Sequence, residues 1–368
     1  MPIRPAGALR TVVSLALACG APLAAQSSDG PSRSPYVILV MTDGFRWQEV
    51  FAGADPAITR TMSAPEAVAL GQSFERETAV ESRAALMPFV WGTIAAQGQI
   101  FGDAAVGSAS LLTNGFKFSY PGYNEALTGH PDPRINSNTH PPNENRTVFE
   151  WLNTQPTLSG RVAAFATWKA FGRILNTARS HLPLFDGREP RANGTEQPRL
   201  YRRILATIRD HIRGSVRDRL TQRAVRDYRL ASTPRVLFIG YGETDNWAHA
   251  DRYDRYLQSA HQVDAYLAEL WANVQANPAT RDSTTLIVTT DHGRGAGLRW
   301  TEHGADVDGA ERIWIAVMGP GIPALGVRQG VPSTGSQVAA TVAAALGLDW
   351  TEAEPKAAAA LPVFSARH

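Results

Sequence analysis

Three short apolar runs constrain this chain more than any other feature: YVILVMT from Tyr36, RVLFIGYG from Arg235 and TLIVTT from Thr285. Rich in β-branched residues and lacking polar alternation, they read as strands buried on both faces, as in a parallel sheet covered by helices. At or just after the end of each comes a carboxylate, Asp43, Asp245 and Asp291 respectively. Ligands of open α/β sheets bind in the crevice outside the carboxyl ends of the strands, so residues about 200 positions apart can converge there.

The rest of the chain continues the alternation of strand and helix. RVAAFATW (161–168) and RIWIAVMG from Arg312 read as further strands, the stretches Gln97–Val106 and NENRTVFEWLN as sheet and helix, and SQVAATVAAALG from Ser336 as a closing helix with glycine after it. The fold class this predicts is α/β, a doubly wound, mostly parallel sheet flanked by helices. With 368 residues, 43% of them hydrophobic, one large core suffices. From about Phe171 to Ala231 the pattern changes to a Gly/Pro-rich loop and an amphipathic stretch, with Ile204, Ile208, Ile212, Val216 and Leu220 at spacing four. It reads as a helical insertion, interrupted near Gly214, whose arginines are interspersed with acids as on an ordinary solvated face.

The N-terminus places Arg4 and Arg10 before an apolar stretch and then small residues up to Gln26. This order predicts a signal peptide over 1–25, too short to span a bilayer, and an exported protein, periplasmic or extracellular. Residues 26–35 read as a flexible leader and 36–368 as the catalytic domain. A lipoprotein would use Cys19, but Ala16 stands where such a signal usually has leucine. Cys19 is the only cysteine, so once 1–25 are removed, metal binding falls to Asp, Glu and His. Of 36 basic residues, removing Arg4 and Arg10 leaves 34 against 34 acidic ones, a balance that points to no nucleic-acid or anionic-membrane partner.

An aspartate after a strand is commonly a helix cap, but a cap needs no histidine nearby. Here His249 follows Asp245 by four residues, which puts both on one helical face, His292 adjoins Asp291, and His303 comes shortly after. Such sets are metal-ligand patterns. A nucleophile is offered by Ser119 in NGFKFSYPGYNEALTG, ahead of Pro121, Gly122 and a helical run. A hydroxyl at a helix N-terminus is favoured as an oxyanion by the backbone N–H groups there.

In these fragments and their order the chain resembles the alkaline phosphatase superfamily, in particular its phosphodiesterase and nucleotide pyrophosphatase branch and related metal-dependent phosphomonoesterases. The resemblance rests on Asp43-Gly44 after the first strand, Ser119-x-Pro121 followed by Thr128-Gly129, Asp245 with His249, Asp291-His292 and His303. It implies a binuclear metallohydrolase of phosphoric esters. One metal is then held by Asp245, His249 and His303, the other by Asp43, Asp291 and His292 with the Ser119 oxygen. Imidazole and carboxylate ligands suit Zn²⁺, with Mn²⁺ the alternative. The resemblance further implies that Ser119 attacks phosphorus to give a phosphoserine, which water hydrolyses, and that two ions about 4 Å apart stabilise the attacking and leaving oxygens. An asparagine contacting a non-bridging oxygen is also implied, and Asn138 stands at about the family's position with Asn136 as competitor.

For substrate contacts the chain offers few cations besides arginine, with three lysines among the 36 basic residues. Lys117, two residues before Ser119, and Lys169, after the strand ending at Trp168, are candidates for the extra charge of a monoester. Arg46 and Trp47 either shape the pocket or pack, and His130 and His140 are within reach of the same region. The expected partner is a small phosphate ester, mono- or diester. A formylglycine sulfatase would need C/S-x-P-x-R, whereas Ser119 is followed by Tyr-Pro-Gly-Tyr. A phosphoglycerate mutase of the superfamily fits poorly with export. An exported metal-binding protein without turnover is the alternative from another class.

Overall fold

A computed structural model describes residues 1–2, 35–186 and 218–365, and its strands bear out the alternation read from the sequence. They are β1 (Tyr36–Thr42), β2 (Gly98–Phe101), β3 (Ser110–Leu111), β4 (Val162–Ala166), β5 (Leu184–Phe185), β6 (Val236–Tyr241), β7 (Thr284–Thr290), β8 (Arg312–Ile313), β9 (Ile315–Met318), β10 (Gly326–Val327) and β11 (Ser333–Thr334). Eight of them form one sheet in the order β10-β2-β9-β7-β1-β6-β4-β5, and β11-β3-β8 form a small second sheet. The three long apolar runs are therefore the adjacent central strands β7, β1 and β6, all parallel.

Burial on both faces explains their composition. Ile38 and Val40 of β1 face one apolar cluster, while Val37, Leu39 and Met41 face the other. Helices cover both sides. Tyr256, Leu257, Val263 and Leu267 of the helix Tyr253–Ala276 join the first cluster, and Leu127, Phe149 and Val342 of the helices Ser119–Thr128, Val148–Thr154 and Gln337–Ala345 join the second. The closing helix ends as its glycine predicts, with Gly347 at φ 77.

Register sets the level at which the functional groups emerge. Thr42 lies opposite Tyr241 on one side and Thr290 on the other, so all three strands stop together. Their ends are then stitched. Asp43 N–H donates to the Tyr241 carbonyl at 2.9 Å, and Thr290 Oγ1 donates to the Thr42 carbonyl at 2.9 Å.

Two expectations are modified. The run from Arg312 is not one strand: β8 belongs to the small sheet, Trp314 separates it from β9, and β9 runs antiparallel to β7 and β2. The break at Trp314 is fixed by its carbonyl, which accepts from Thr289 Oγ1 at 2.6 Å, and by its indole N–H, which donates to the Phe45 carbonyl at 3.2 Å. The segment 171–231, expected as a helical insertion, contributes at both ends to the sheet's own layers. Phe171 is in the core, β5 pairs with β4, and Tyr228 of the helix Asp218–Ala231 packs its ring on Phe165 of β4. Of the stripe at spacing four, Leu220 packs against the core, whereas Ile204, Ile208, Ile212, Gly214 and Val216 lie outside the described residues, as do Cys19, 3–25 of the expected signal peptide and 26–34 of the leader. No helix among the described residues is long and apolar enough to cross a membrane.

Candidate metal centre and nucleophile

Level strand ends bring the carboxylates together. Asp43 and Asp291 each follow a strand directly, and Gly44 N–H donates to Asp291 Oδ1 at 2.9 Å. Asp245 and His249 lie on the short helix Glu243–His249 after β6, which is tied to the end of β1 by Thr244 Oγ1 donating to the Asp43 carbonyl at 2.6 Å. One ligand atom each from Asp43, Asp291 and His292 lies within 4.8 Å of the others, and the same holds for Asp245, His292 and His303. His249 Nε2 completes the second group, 3.4 Å from Asp245 Oδ2 and 3.0 Å from His303 Nε2. The structure thus brings all six expected ligands together, with His292 between the two groups.

The histidine tautomer is set locally. His292 Nδ1 is 2.8 Å from the Gly293 carbonyl, which can only accept, so Nδ1 carries the proton and the Nε2 lone pair is turned to the carboxylates. Nε2 is 3.4 Å from Asp43 Oδ1 and 3.7 Å from Asp291 Oδ2. Burial lowers the His292 imidazole to about 4 and that of His303 to about 2, which keeps both neutral, as ligands must be.

The carboxylates are held under electrostatic stress. Burial raises Asp43 to about 6, with the Arg294 guanidinium pulling the other way. Burial and the neighbouring Asp43 charge hold Asp291 well above the carboxylate range, and its buried Oδ2 has no hydrogen-bond partner. Two buried carboxylates, one with an orphaned oxygen, facing a neutral imidazole nitrogen fit a divalent cation.

Ser119 is the first residue of its helix, as expected, and the whole helix is buried. Its Oγ donates to Asp43 Oδ1 at 3.3 Å and lies 3.4 Å from His292 Nε2. The turn before it is fixed by Asn114, whose Oδ1 accepts the N–H groups of Phe116 and Lys117, while its Nδ2 donates to Glu125 of the same helix. Asn138 Oδ1 accepts the Tyr120 N–H at 2.9 Å, which leaves its Nδ2 as the free donor. Asn138 lines a cavity of about 120 Å³ together with Asp43, Ser119, Thr167, Trp168, Gly242, Asp245 and Asn246, whereas the competitor Asn136 is exposed and outside that lining.

The expected substrate cations do not join this cavity. Arg46 is fully buried and committed to Glu49 at 2.7 Å, Asp55 at 3.0 Å and the Gly295 carbonyl at 3.0 Å, so it is a structural ion pair and the expectation of a substrate contact is corrected. Lys117 Nζ is 3.2 Å from Glu311, and Lys169 is exposed and outside the cavity lining. Trp47 packs on Phe51. His130 is turned toward Glu354 at 4.0 Å, and His140 packs its ring on Tyr120.

Two residues at the site were not found in the sequence. Tyr123, one turn after Ser119, donates to Asp43 Oδ2 at 3.3 Å. Arg294, visible only as a charge inside the turn HGRGAG, is fully buried and donates to Asp245 Oδ1, to the Gly44 carbonyl at 3.1 Å and to the Thr301 carbonyl at 2.7 Å. The close approach requires Gly44, where an added β-carbon would lie 2.8 Å from Arg294 Nε.

Comparison with known proteins identifies the family and the fold. Residues 37–346 match the family described as type I phosphodiesterase / nucleotide pyrophosphatase. The fold is similar to that of a phosphonate monoester hydrolase from Silicibacter pomeroyi, at 13% identity, TM-score 0.53, covering 89% of this chain and 75% of that one. It is also similar to the C-terminal periplasmic domain of EcEptC from Escherichia coli, at 10% identity, TM-score 0.53, covering 92% and 89%. No curated protein matches the chain by sequence.

Proposed function

Since the chain belongs to the type I phosphodiesterase / nucleotide pyrophosphatase family of the alkaline phosphatase superfamily, we propose that it is an exported, two-metal phosphodiesterase with Ser119 as nucleophile. The observation that carries the diester reading is the cavity beside Ser119. Its described lining holds two carboxylates, a threonine, two asparagines, a tryptophan and no lysine or arginine. A monoester dianion would bring a second negative charge with no protein cation to meet it, whereas a diester carries one. Export is supported by the order of charged, apolar and small residues before Gln26.

Asp43, Asp291 and His292 would hold one divalent ion and Asp245, His249 and His303 the other, Zn²⁺ or Mn²⁺ by the chemistry of the donors. When bound, such ions supply the positive charge that stabilises the attacking and leaving oxygens of an in-line displacement. The protein does the positioning. The hydrogen bond to Asp43 Oδ1 orients the Ser119 hydroxyl, and Asn138, held by the Tyr120 N–H, keeps its amide N–H groups for a non-bridging oxygen. Ser119 Oγ bonds to phosphorus as the P–O bond to one alcohol breaks, and the proton lost by the serine hydroxyl is balanced by the one the departing oxygen takes up to leave as the alcohol. Water then cleaves the phosphoserine, releasing a phosphomonoester and restoring the hydroxyl.

The test is turnover of bis- and mono-p-nitrophenyl phosphate by purified protein with added Zn²⁺ or Mn²⁺, before and after chelation. The diester should be preferred in kcat/KM, and chelation should abolish activity. Preference for the monoester would overturn the diester reading. Hydrolysis of neither would leave an exported metal-binding protein.

A further inference from the structure

We infer that Arg294 makes the two metal positions unequal, so that the one formed by Asp43, Asp291 and His292 fills first and the one formed by Asp245, His249 and His303 is weaker and exchangeable. This rests on the two-ion reading above. It adds an order of loading and names the residue that imposes it.

A guanidinium stays charged in a protein interior. Arg294 has no exposed surface, and its carboxylate partner is Asp245, whose Oδ1 accepts from Nη2. It cannot easily swing away, because Nε and Nη1 are held by the carbonyls of Gly44 and Thr301 at 3.1 and 2.7 Å, in the space that Gly44 leaves open. A divalent ion at the first position meets two carboxylates and a neutral imidazole, with Asp43 5% exposed and Asp291 and His292 fully buried. At the second position it meets one carboxylate already shared with a fixed cation, and two imidazoles, one of them on a His249 side chain that is 54% exposed.

Both differences act in the same direction. Attraction between opposite charges rises as the surroundings become less polar, which favours the buried pair of carboxylates. An ion at the second position must share Asp245 with Arg294 and bear its repulsion. If Arg294 merely braced Asp245, removing it would weaken metal binding, as loss of an outer-shell support usually does. Repulsion by the guanidinium has the opposite sign.

The experiment is a Zn²⁺ titration of the metal-free full-length protein against a chromophoric chelator, with bound metal counted by mass spectrometry. Wild type should show two classes of site, and His249→Ala should remove only the weaker. Arg294→Met should tighten that weaker class, by about 10- to 100-fold if the effect has the size of outer-shell influences on metal affinity, while Arg294→Lys keeps the wild-type value. Two equal sites in wild type, loss of the tighter class in His249→Ala, or a weaker class unchanged or loosened in Arg294→Met would each overturn the inference and leave the two-ion reading intact. Should Arg294→Met fail to fold, Arg294→Gln, which removes the charge and keeps hydrogen-bond donors, takes its place with the same expected tightening. Wild type that binds no ion would instead overturn the two-ion reading itself.

Discussion

Gly122 and Asp291 touch: a β-carbon added at 122 would lie 2.1 Å from the Asp291 carbonyl oxygen. The helix that presents Ser119 therefore packs against the strand end that presents Asp291, a candidate metal ligand, only because residue 122 has no side chain. Gly122→Ala should cost about 1–3 kcal/mol through overpacking against backbone. If the helix shifts by about 1 Å to relieve the clash, kcat should fall about 100-fold. Urea denaturation and diester kinetics on the same preparation check both, and an alanine variant with normal rate and stability would refute the contact.

Replacing Ser119 by alanine removes the proposed attacking oxygen and leaves the six candidate ligand side chains in place. Turnover should fall by several orders of magnitude while bound metal is unchanged. Acid quenching with labelled substrate should place phosphate on the Ser119 peptide, and label on Thr128 would show the nucleophile to be misassigned.

Asp43 and His292 predict opposite pH dependences of stability in the metal-free protein. Burial lowers His292 from 6.5 to about 4, so its contribution is present above pH 6.5 and lost as pH falls toward 4. Burial raises Asp43 from 3.8 to about 6, so its contribution is present below 3.8 and lost as pH rises through 6. Each shift corresponds to about 3 kcal/mol, and between pH 4 and 6 they offset one another. Relative to wild type, Asp43→Asn should gain stability as pH rises from 4 to 6, and His292→Asn should lose it. Chemical denaturation of chelated protein at three pH values measures this, and parallel curves for the two variants would contradict it.

Arg46 tests the corrected assignment. Its removal would strand Glu49, which is fully buried and whose carboxyl burial already pushes above the usual range. Arg46→Ala should destabilise the fold by about 3–5 kcal/mol, the cost of an uncompensated buried charge. Whatever folds should keep the wild-type KM, because Arg46 lies outside the cavity lining; a raised KM with unchanged stability would restore it as a substrate contact.

The legible part of the structure was what repeats along the chain. Unbroken β-branched runs announced β1, β6 and β7, and an aspartate near the end of each, with His249 and His292 close by, pointed to the cluster of candidate ligands that the strand ends bring together. Strand direction carries no such signature, so the antiparallel β9 and the break at Trp314 were missed. Arg46, three residues after Asp43, reads from the sequence as either shaping the pocket or packing, and the partners that decide between the two, Glu49 and Asp55, are identified only once the chain has folded over it. Arg294 and Tyr123 were hidden for a related reason. Each acts on a carboxylate 49 or 80 residues distant, which no local pattern encodes.

The level ending of β1, β6 and β7 has a consequence for how the protein acquires its activity. The partners in these pairings, such as Val37 with Val236 and Tyr36 with Thr284, are separated by most of the chain. Contacts of that span are slow to form, because long loops must close before the pairing rewards them. During synthesis β1 must wait for strands made much later, and His303 emerges later still. In refolding, helical signal and apolar burial should therefore return before the first turnover, and the recovery of catalysis would serve as a clock for the closing of the central sheet.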